Sequence, residues 1–489
     1  MFWKQSDRDK SESHRDKRAV NLQNLKEMLS NMEDAEIIER ETNNSEKIIF
    51  IYIRTLINQE RLNEAIVVPL IQSSYASVCD CITNSKVSIL STLKEAETQL
   101  LFGSVLVFNQ KQNVWCSVPL KNTTGRSIET SETETILYGA KDSFSEQIET
   151  NITLIRRRLP KTELKVEKFT IGTYSETTVM LMYIDGLTNP EFVKIARNEL
   201  TNINFDLFFD SSQIAAFMED HHHSIFPQFL QTDRPDVCAY SLVMGKITML
   251  IDNTPFALVA PITFFHLLQS PEDYINRWPV ASFLRGLRYI SFIISITLIP
   301  FYVALTTHHY EMIPLQILYV LVESRSKLPF TPFWEAFLML IILEIIKEAS
   351  LRMPTKSSQT LGVIGGIVIG QAAVEAGFAS KVLIVLVGIS TIAAFLCPNY
   401  LLTKANTLIQ FIFLIFSSFM GIIGIALGMI GILAHLNGLT SLKQPYFAPV
   451  SPFYGRDWLD LFIRGPLIWM KRRPEHLRTL QKWRYRSRR

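Results

Sequence analysis

The stretch ANTLIQFIFLIFSSFMGIIGIALGMIGILAHLNGLTSL (405–442) contains no Asp, Glu, Lys or Arg. Two further windows, 289–310 and 382–403, are equally free of these residues. A bilayer core takes about 20 consecutive apolar residues in a helix, and buried helices of soluble proteins are usually shorter. The three windows therefore predict membrane-crossing helices in the second half of the chain.

The membrane domain is predicted over residues 278–442. Four full crossings are expected, over 287–307, 358–376, 381–401 and 408–436. Two other apolar segments are shorter or carry charges, and they are predicted to be re-entrant or interfacial elements: Ile313–Val322 and Phe333–Ile346.

Basic residues flank the membrane domain at both ends. Arg277, Arg285 and Arg288 precede or begin the first span, and residues 471–489 hold nine Lys/Arg against one Glu. An excess of Lys and Arg marks the cytoplasmic side of short flanks. Both termini are therefore predicted to be cytoplasmic. Residues 443–489 are expected to form a basic tail on the anionic inner leaflet.

The first half of the chain is charged throughout and predicts a two-part α/β cytosolic domain. Residues 1–20 are too charged for a secretory signal and are expected to be a disordered tail. Two subdomains follow, 21–160 and 161–277, with the boundary at Pro160. The overall class is α+β/α, in which this domain precedes a multi-span helical membrane domain with re-entrant elements.

Local patterns predict several elements of the cytosolic domain. Ser104–Phe108 and Val114–Val118 are expected to pair as strands across a polar turn. Pro190–Asn202 is expected to be a helix, with Asn189 as its cap. Within 239–259, Tyr240–Met244 and Ile247–Asp252 are β-rich runs separated by turn residues, and both are predicted to be strands.

Catalytic and metal-binding patterns are absent from the sequence. The five cysteines show neither metal-ligand spacing nor an even disulfide framework, which suits a reducing compartment. The run His221-His222-His223 cannot direct three consecutive side chains at one site in regular structure. A net charge of +3 is too small to indicate nucleic acid. We therefore expect no enzyme activity, no cofactor and no bound metal.

Glycines spaced by four form a bare stripe on a predicted helix, comprising Gly362, Gly366 and Gly370, with Gly365 beside them. Such a stripe lets another backbone approach closely. It indicates either helix packing within the chain or a helix that lines a pore or its gate. Gln371 adds a polar amide at the end of the stripe, which slightly favours a wet surface.

A second stripe, Gly421, Gly424, Gly428 and Gly431, is interpreted as helix packing. The neighbouring His435 is interpreted as an interfacial residue.

Acidic residues lie inside or beside apolar runs at Glu335, Glu344, Glu348 and Glu375. Glu344 and Glu348 can pair with Lys347 and Arg352 on one helix face. Glu335 lies about half a helical revolution from Glu344, so the two cannot share a face. Ionisable groups at membrane depth usually pair or face water. This set therefore indicates either an ion-pair ladder or part of a cation pathway.

The run LPFTPFWEAFLMLIILEIIKEASLRMP (328–354), followed by SQTLGVIGGIVIGQAAVEAGFAS (358–380), resembles the A subunit of the spore germinant receptors of endospore-forming bacteria. Supporting stretches are ETNITLIRRRLP (149–160), SIFPQFLQTDRPD (224–236) and PYFAPVSPF (445–453). The resemblance extends from about residue 149 to 453. The chain departs from the family pattern at Met339-Leu340, where a Met-Glu pair is usual, and at Lys347, where Arg is usual.

The resemblance implies a multi-pass protein of the spore inner membrane with both termini on the core side. Its implied partners are a permease-like B subunit, a lipoprotein C subunit, membrane lipids and further copies of the chain. Small nutrients would trigger the complex, and the A subunits would form its oligomeric ion channel. Carried over by position, the pore or gating candidates are Gly362, Val363, Gly365, Gly366, Ile369, Gly370, Gln371, Glu335, Glu344 and Glu348.

Two other functions stay open at the level of sequence. The chain could be a non-conducting membrane scaffold that assembles partner subunits. It could also be a transporter subunit that couples nutrient binding to germination, but transporters of this kind usually show paired repeats, and no internal repeat is evident here.

Overall fold

The computed structural model describes residues 18–41, 46–72, 87–122, 134, 138–326, 328–352 and 370–484. These residues form two compact units. Unit 1 contains the described residues of 1–219, 229–261 and 471–489, and unit 2 contains those of 220–228 and 262–470.

The first sheet of unit 1 has five antiparallel strands in the order β1-β2-β4-β5-β3. The strands are β1 (Ala35–Glu41), β2 (Lys47–Ile53), β3 (Ser88–Leu90), β4 (Ser104–Asn109) and β5 (Val114–Pro119). The helices around it are α1 (Leu22–Met28), α2 (Gln59–Leu62), α3 (Val68–Gln72) and α4 (Leu93–Leu101). The predicted pairing of Ser104–Phe108 with Val114–Val118 is confirmed by β4 and β5.

The second sheet of unit 1 has the order β6-β7-β9-β10-β8, again fully antiparallel. Its strands are β6 (Leu164–Ile171), β7 (Thr177–Ile184), β8 (Leu230–Thr232), β9 (Ile247–Ile251) and β10 (Ala257–Ala260). Its helices are α5 (Ile148–Arg158), α6 (Pro190–Asn202), α7 (Ser211–Met218) and α8 (Pro235–Met244). The predicted helix over α6 is confirmed, and the Asn189 side chain accepts a hydrogen bond from the Glu191 N–H at 3.1 Å.

The two sheets share one topology. In each, the first two strands form a hairpin, the third strand takes the far edge, and the last two fill the centre. A helix also precedes the first strand and lies between the third and fourth strands in both subdomains. The sequence shows no repeat, because the strand positions require only apolar residues and many different sequences meet that requirement. Unit 1 is therefore built from two copies of one architecture.

A buried ion pair fastens the two copies together. Arg156 on α5 donates to both carboxylate oxygens of Asp34, which precedes β1, at 2.5 and 2.7 Å. Both side chains are about 1% exposed. Because a buried charge is stable only when paired and hydrogen-bonded, this contact fixes one arrangement of the two sheets.

Two sequence-based expectations differ from the structure in this unit. The prediction of a strand over Tyr240–Met244 is wrong, because these residues form the end of helix α8. Pro235 occupies the first turn of that helix, and Gly245 closes it in the left-handed region at φ +99°. Helix α5 lies before the boundary drawn at Pro160, yet its Ile152 and Ile155 are fully buried against the second sheet.

Cysteine usage also differs from the expectation of a fully reduced set. Cys116 on β5 is disulfide-bonded, whereas Cys238 and Cys397 are free and buried. Burial in apolar surroundings raises the pKa of the Cys238 thiol well above its ordinary value, so this thiol is inert at neutral pH.

The C-terminal segment is not a free tail in its described part. Residues 471–484 belong to unit 1, where the Leu480 N–H donates to the Leu187 carbonyl at 3.0 Å. Arg473 donates through Nε to the Val243 carbonyl at 2.8 Å. The basic residues of 471–484 are therefore part of a strap folded onto the second subdomain.

Unit 2 is helical. Its helices are α9 (Glu272–Ile275), α10 (Trp278–Thr307), α11 (Leu315–Arg325), α12 (Pro332–Leu351), α13 (Gly370–Glu375), α14 (Lys381–Phe395), α15 (Tyr400–Met420) and α16 (Ile422–Gly438). A two-stranded ribbon, β11 (Thr440–Ser441) and β12 (Gln444–Pro445), follows α16. Among the described residues, α10 and α15 are long and apolar enough to cross a membrane, and α14 and α16 are shorter apolar helices.

Side-chain contacts give the directions of the helices. Ser295 on α10 contacts Asn406 on α15, and His308 just after α10 contacts Ser418, so α10 and α15 run parallel. Helix α14 runs antiparallel to α10, because the Ser380 hydroxyl that precedes α14 lies 3.2 Å from the Tyr302 hydroxyl while Ser390 reaches back to Ser295.

The single crossing predicted over 408–436 is wrong. The chain breaks at Gly421, whose φ of +61° and ψ of −138° strongly favour glycine. Helices α15 and α16 then form a tight antiparallel hairpin. A side chain at Gly424 would meet the Phe416 carbonyl, and one at Gly428 would meet the Phe413 ring at 2.7 Å. The small residues thus let the two helices approach closely.

Other predicted membrane segments also differ from the structure. The span expected over 381–401 ends at Phe395, because Pro398 cannot continue the helix and Asn399 caps α15. Phe333–Ile346, expected to be a partial element, lies in the 20-residue helix α12. Most of the span expected over 358–376 lies outside the described residues, and only α13 is seen.

Gly428→Leu is expected to destabilise the α15–α16 hairpin by about 1–3 kcal/mol, since the added side chain overlaps the Phe413 ring. Gly431→Leu is the matched control, because a Cβ at Gly431 meets nothing within 4 Å. The measurement is the thermal unfolding midpoint of the full chain in detergent. Equal midpoints for both variants would show that the glycine contact is not a packing constraint.

Candidate functional site

A buried carboxylate lies where α12, α14 and α10 meet. Glu335 in the first turn of α12 is 0% exposed, and its Oε1 accepts a hydrogen bond from the Ser380 N–H at 2.5 Å. Ser380 caps α14 by accepting from the Leu383 N–H, and its hydroxyl contacts Tyr302. The carboxylate therefore lies at the N-terminus of α14, where backbone N–H groups point towards it.

The second oxygen of Glu335 has no hydrogen-bond donor among the described residues. Oε2 lies 3.7 Å from Nε of Arg325 on α11, too far for a hydrogen bond, and that Nε likewise has no acceptor in the described part of the chain. Tyr302, Arg325, Glu335 and Ser380 are together called the Glu335 layer. A buried acceptor of this kind is a group that could bind a water or a cation.

A second polar layer, called the Asn406 layer, lies nearer the start of α10, where α10, α14 and α15 meet. Asn406 donates from Nδ2 to the Ser295 hydroxyl at 2.7 Å, and Gln410 donates from Nε2 to the Ser390 hydroxyl at 2.9 Å. Ser390 in turn donates to the Ser295 carbonyl at 3.0 Å. All four side chains are at most 9% exposed. The layer therefore links α10, α14 and α15 by polar contacts alone.

The Asn406 layer also holds a buried acceptor, since Oδ1 of Asn406 has no hydrogen-bond donor within the described ranges. Ser295 lies seven residues before Tyr302 on α10, which separates the two layers by about 10 Å along the helix. This layer is not among the predictions from the sequence. The available signal was Asn406 and Gln410, two amides one turn apart in an apolar helix.

The other acidic candidates lie on a different face of α12. Glu344 accepts from Lys347 at 3.1 Å, and Glu348 accepts from Arg352 at 2.9 Å. Both carboxylates are about half exposed, in contrast to Glu335. The structure thus separates Glu335 from the other two, as the helical spacing predicts.

The predicted pore block falls largely outside the described residues, which omit Gly362, Val363, Gly365, Gly366 and Ile369. Gly370 begins α13, where a Cβ would touch only Ile384 at 3.9 Å. Gln371 is exposed. Neither residue lies in the Glu335 or Asn406 layer. Their pore role stays a prediction.

Arg285 and Arg288 at the start of α10 are buried, whereas Arg277 is exposed. Arg285 donates to Asp273 Oδ2 at 3.0 Å and to the Asp460 carbonyl at 2.7 Å. Arg288 donates to both oxygens of Asp273 and to the Leu268 carbonyl. Two arginines and two aspartates thus neutralise one another inside unit 2. We call these four residues the Asp273 network.

No site for metal binding or for nucleophilic catalysis is seen among the described residues. No group of three or more His, Cys, Asp or Glu side chains there is arranged to hold a metal ion. The two polar layers contain acceptors and donors but no nucleophile with an adjacent base.

Comparison with known proteins points to one family. The family model described as "Bacillus/Clostridium GerA spore germination protein" matches residues 23–476. The chain is 36% identical over 470 residues to the spore germination protein GerQA of Bacillus cereus, covering 95% of this chain and 94% of that protein. It is 34% identical to the spore germination protein KA of Bacillus subtilis, covering 87% and 80%.

Two further matches are a membrane protein and a solved structure. The chain is 32% identical to the membrane protein YfkQ of Bacillus subtilis, covering 93% of this chain and 90% of that one. A crystal structure of the N-terminal domain of the A subunit of the Bacillus megaterium germinant receptor GerK3 is 28% identical, with a TM-score of 0.38. It covers 50% of this chain and 94% of that domain.

Proposed function

Because the chain belongs to the GerA family of spore germination proteins, we propose that it is the A subunit of a nutrient germinant receptor of the spore inner membrane. The observation that carries this proposal is the identity with GerQA across almost the whole of both chains. In this role the subunit has no catalytic step of its own. It passes the effect of a nutrient bound in the complex to an ion path.

The proposed complex contains a permease-like B subunit, a lipoprotein C subunit and several copies of this chain. The assembly of copies rests on the family resemblance of the block GQAAVEAGFAS (370–380), which begins with the pore candidates Gly370 and Gln371. The exposed Gln371 of α13 is free of the chain's own buried core, so it is accessible to a neighbouring copy.

Chain connectivity supports the placement of both termini on one side of the membrane, which we propose is the cytoplasmic side. Helix α10 follows residues of unit 1, and after α16 the chain returns to unit 1 at residue 471. A chain that leaves one soluble unit and returns to it must cross the bilayer an even number of times. Helices α10, α14, α15 and α16, which alternate in direction, supply four such passages.

Ion conduction is proposed to involve the two polar layers together with the pore block. Polar groups inside membrane helices are costly and usually mark ion pathways. The Glu335 and Asn406 layers each present a buried oxygen that has no hydrogen-bond donor in the part of the chain that the structure describes. A nutrient would open the path by binding the open arrangement of the complex more tightly than the closed one.

The receptor role is tested by deleting the chain's gene in its own host and restoring it with an affinity tag. We expect the deletion to abolish germination on at least one nutrient, and the tagged chain to co-purify with a permease-like and a lipoprotein subunit from spore membranes. Normal germination on every nutrient, in a strain with no second receptor of this family, would contradict the proposal.

A further inference from the structure

An exposed apolar surface lies just after the helical hairpin, in residues 453–469. Its exposed side chains are large and apolar: Phe453 is 70% exposed, Ile468 72% and Trp469 64%. Ile463 and Leu467 are at least half exposed as well. Singly exposed apolar residues are ordinary, but a run of them marks an interaction site.

The segment is fastened to the first turns of α10. The Ser282 hydroxyl donates to the Arg464 carbonyl at 3.1 Å and accepts from the Arg464 N–H at 3.1 Å. The Tyr289 hydroxyl donates to the Leu461 carbonyl at 3.3 Å. Since these partners span residues 282–289, the segment lies at the level of the first three turns of that helix.

The same turns of α10 expose apolar side chains of their own. Trp278 is 45% exposed, Val280 52% and Phe283 70%. Helix α10 has 30 residues, about 45 Å at ~1.5 Å per residue, whereas a bilayer core is about 30 Å thick. The charge-free window begins only at residue 289. The first turns therefore lie at the interface between lipid and water when the rest of α10 spans.

The backbone of the segment fits that depth. Most of residues 453–469 is in turns, with one short 3-10 helix at Asp457–Asp460. Irregular backbone is not tolerated against hydrocarbon, but it is tolerated at the headgroup level, where Trp and Tyr are enriched. The Arg285 charge close to the segment is already neutralised by Asp273 and Asp460.

We propose that residues 453–469 form an interfacial anchor, whose exposed aromatic and aliphatic side chains insert into the lipid surface beside the start of α10. The occupant is the bilayer, because the surface is continuous with the exposed apolar turns of a membrane-length helix. The anchor rests on the membrane insertion contained in the proposed function. It adds a contact in the plane of the membrane to the helices that cross it.

The test is tryptophan emission of the full chain in vesicles of phosphatidylcholine brominated near the headgroup end of its acyl chains. Subtracting the spectrum of Trp469→Phe from that of the unchanged chain isolates the Trp469 emission. We expect this emission to be lost in brominated vesicles, relative to unbrominated ones, and to resist quenching by aqueous iodide. The matched control is Trp115→Phe, since Trp115 is buried against Phe108 in unit 1 and its emission should be unaffected by bromine.

A Trp469 emission that iodide quenches and brominated lipid does not would overturn the anchor. A Trp469 emission that neither iodide nor brominated lipid quenches would also overturn the anchor, because it would indicate that a second copy covers the surface. The added reporter Ile412→Trp, halfway along α15, separates this failure from that of membrane insertion. Quenching of that reporter by lipid brominated near the chain end shows that α15 is inserted even where the anchor fails.

Discussion

Asp273→Ala is expected to destabilise unit 2 by about 3–5 kcal/mol, the usual cost of removing one partner from a buried ion pair. Asp273 is 1% exposed and binds both Arg285 and Arg288. Without it, Arg285 keeps the Asp460 carboxylate, whereas Arg288 keeps only the Leu268 carbonyl among its described partners. The loss should appear as depletion of the full-length chain from membranes.

Glu272→Ala is the control for this substitution, because Glu272 is the neighbouring acid on the same short helix and is only partly buried. We expect its abundance to stay near that of the unchanged chain. The measurement is quantitative immunoblotting of membranes, with protease resistance of the solubilised chain as the second readout. If Asp273→Ala accumulated normally and resisted protease normally, the network would not hold α10 in place.

Glu335→Gln is expected to change the rate of ion release per receptor by about tenfold or more, since a bias of ~1.4 kcal/mol between two states is a tenfold shift. The substitution keeps the size of the side chain but removes the charge that faces the N-terminus of α14 and Arg325. Either a slower or a faster rate of ion release follows from a role of Glu335 in the ion path. A stabilised closed state slows release, and a destabilised one gives release without nutrient.

Local sequence signals predicted much of unit 1. Asn189 and Pro190 begin α6 because the side-chain cap and the proline both satisfy the first turn of a helix. The hairpin of β4 and β5 follows from alternating apolar residues around a polar turn. Such signals act within a few residues, so a single sequence contains them.

The errors arose where tertiary packing decided the outcome. Tyr240–Met244 is rich in β-formers, but α8 buries Cys238 and Leu242 against the second sheet as a helix. The reversal at Gly421 could not be distinguished from a straight helix, because an apolar run with small residues fits both. The glycine spacing indicated packing but not that the two partners were consecutive helices.

The two polar layers could be predicted only by knowing which helices are neighbours. Glu335 is separated from Ser380 by 45 residues, and Ser295 from Asn406 by 111. Spacing within one helix correctly placed Glu335 and Glu344 on different faces. It could not show that Glu335 is buried and aligned with the end of α14, while Glu344 pairs with Lys347.

The most direct test of whether this chain takes part in the ion path is nutrient-triggered cation release from spores carrying Glu335→Gln or Glu344→Gln. Both variants remove one carboxylate from α12, and only the first reaches the buried layer. With release normalised to receptor abundance, we expect Glu335→Gln to change the rate or to release cations without nutrient, and Glu344→Gln to change little. Release that follows abundance alone in both variants would contradict this account and make the chain a scaffold for a pore formed by a partner.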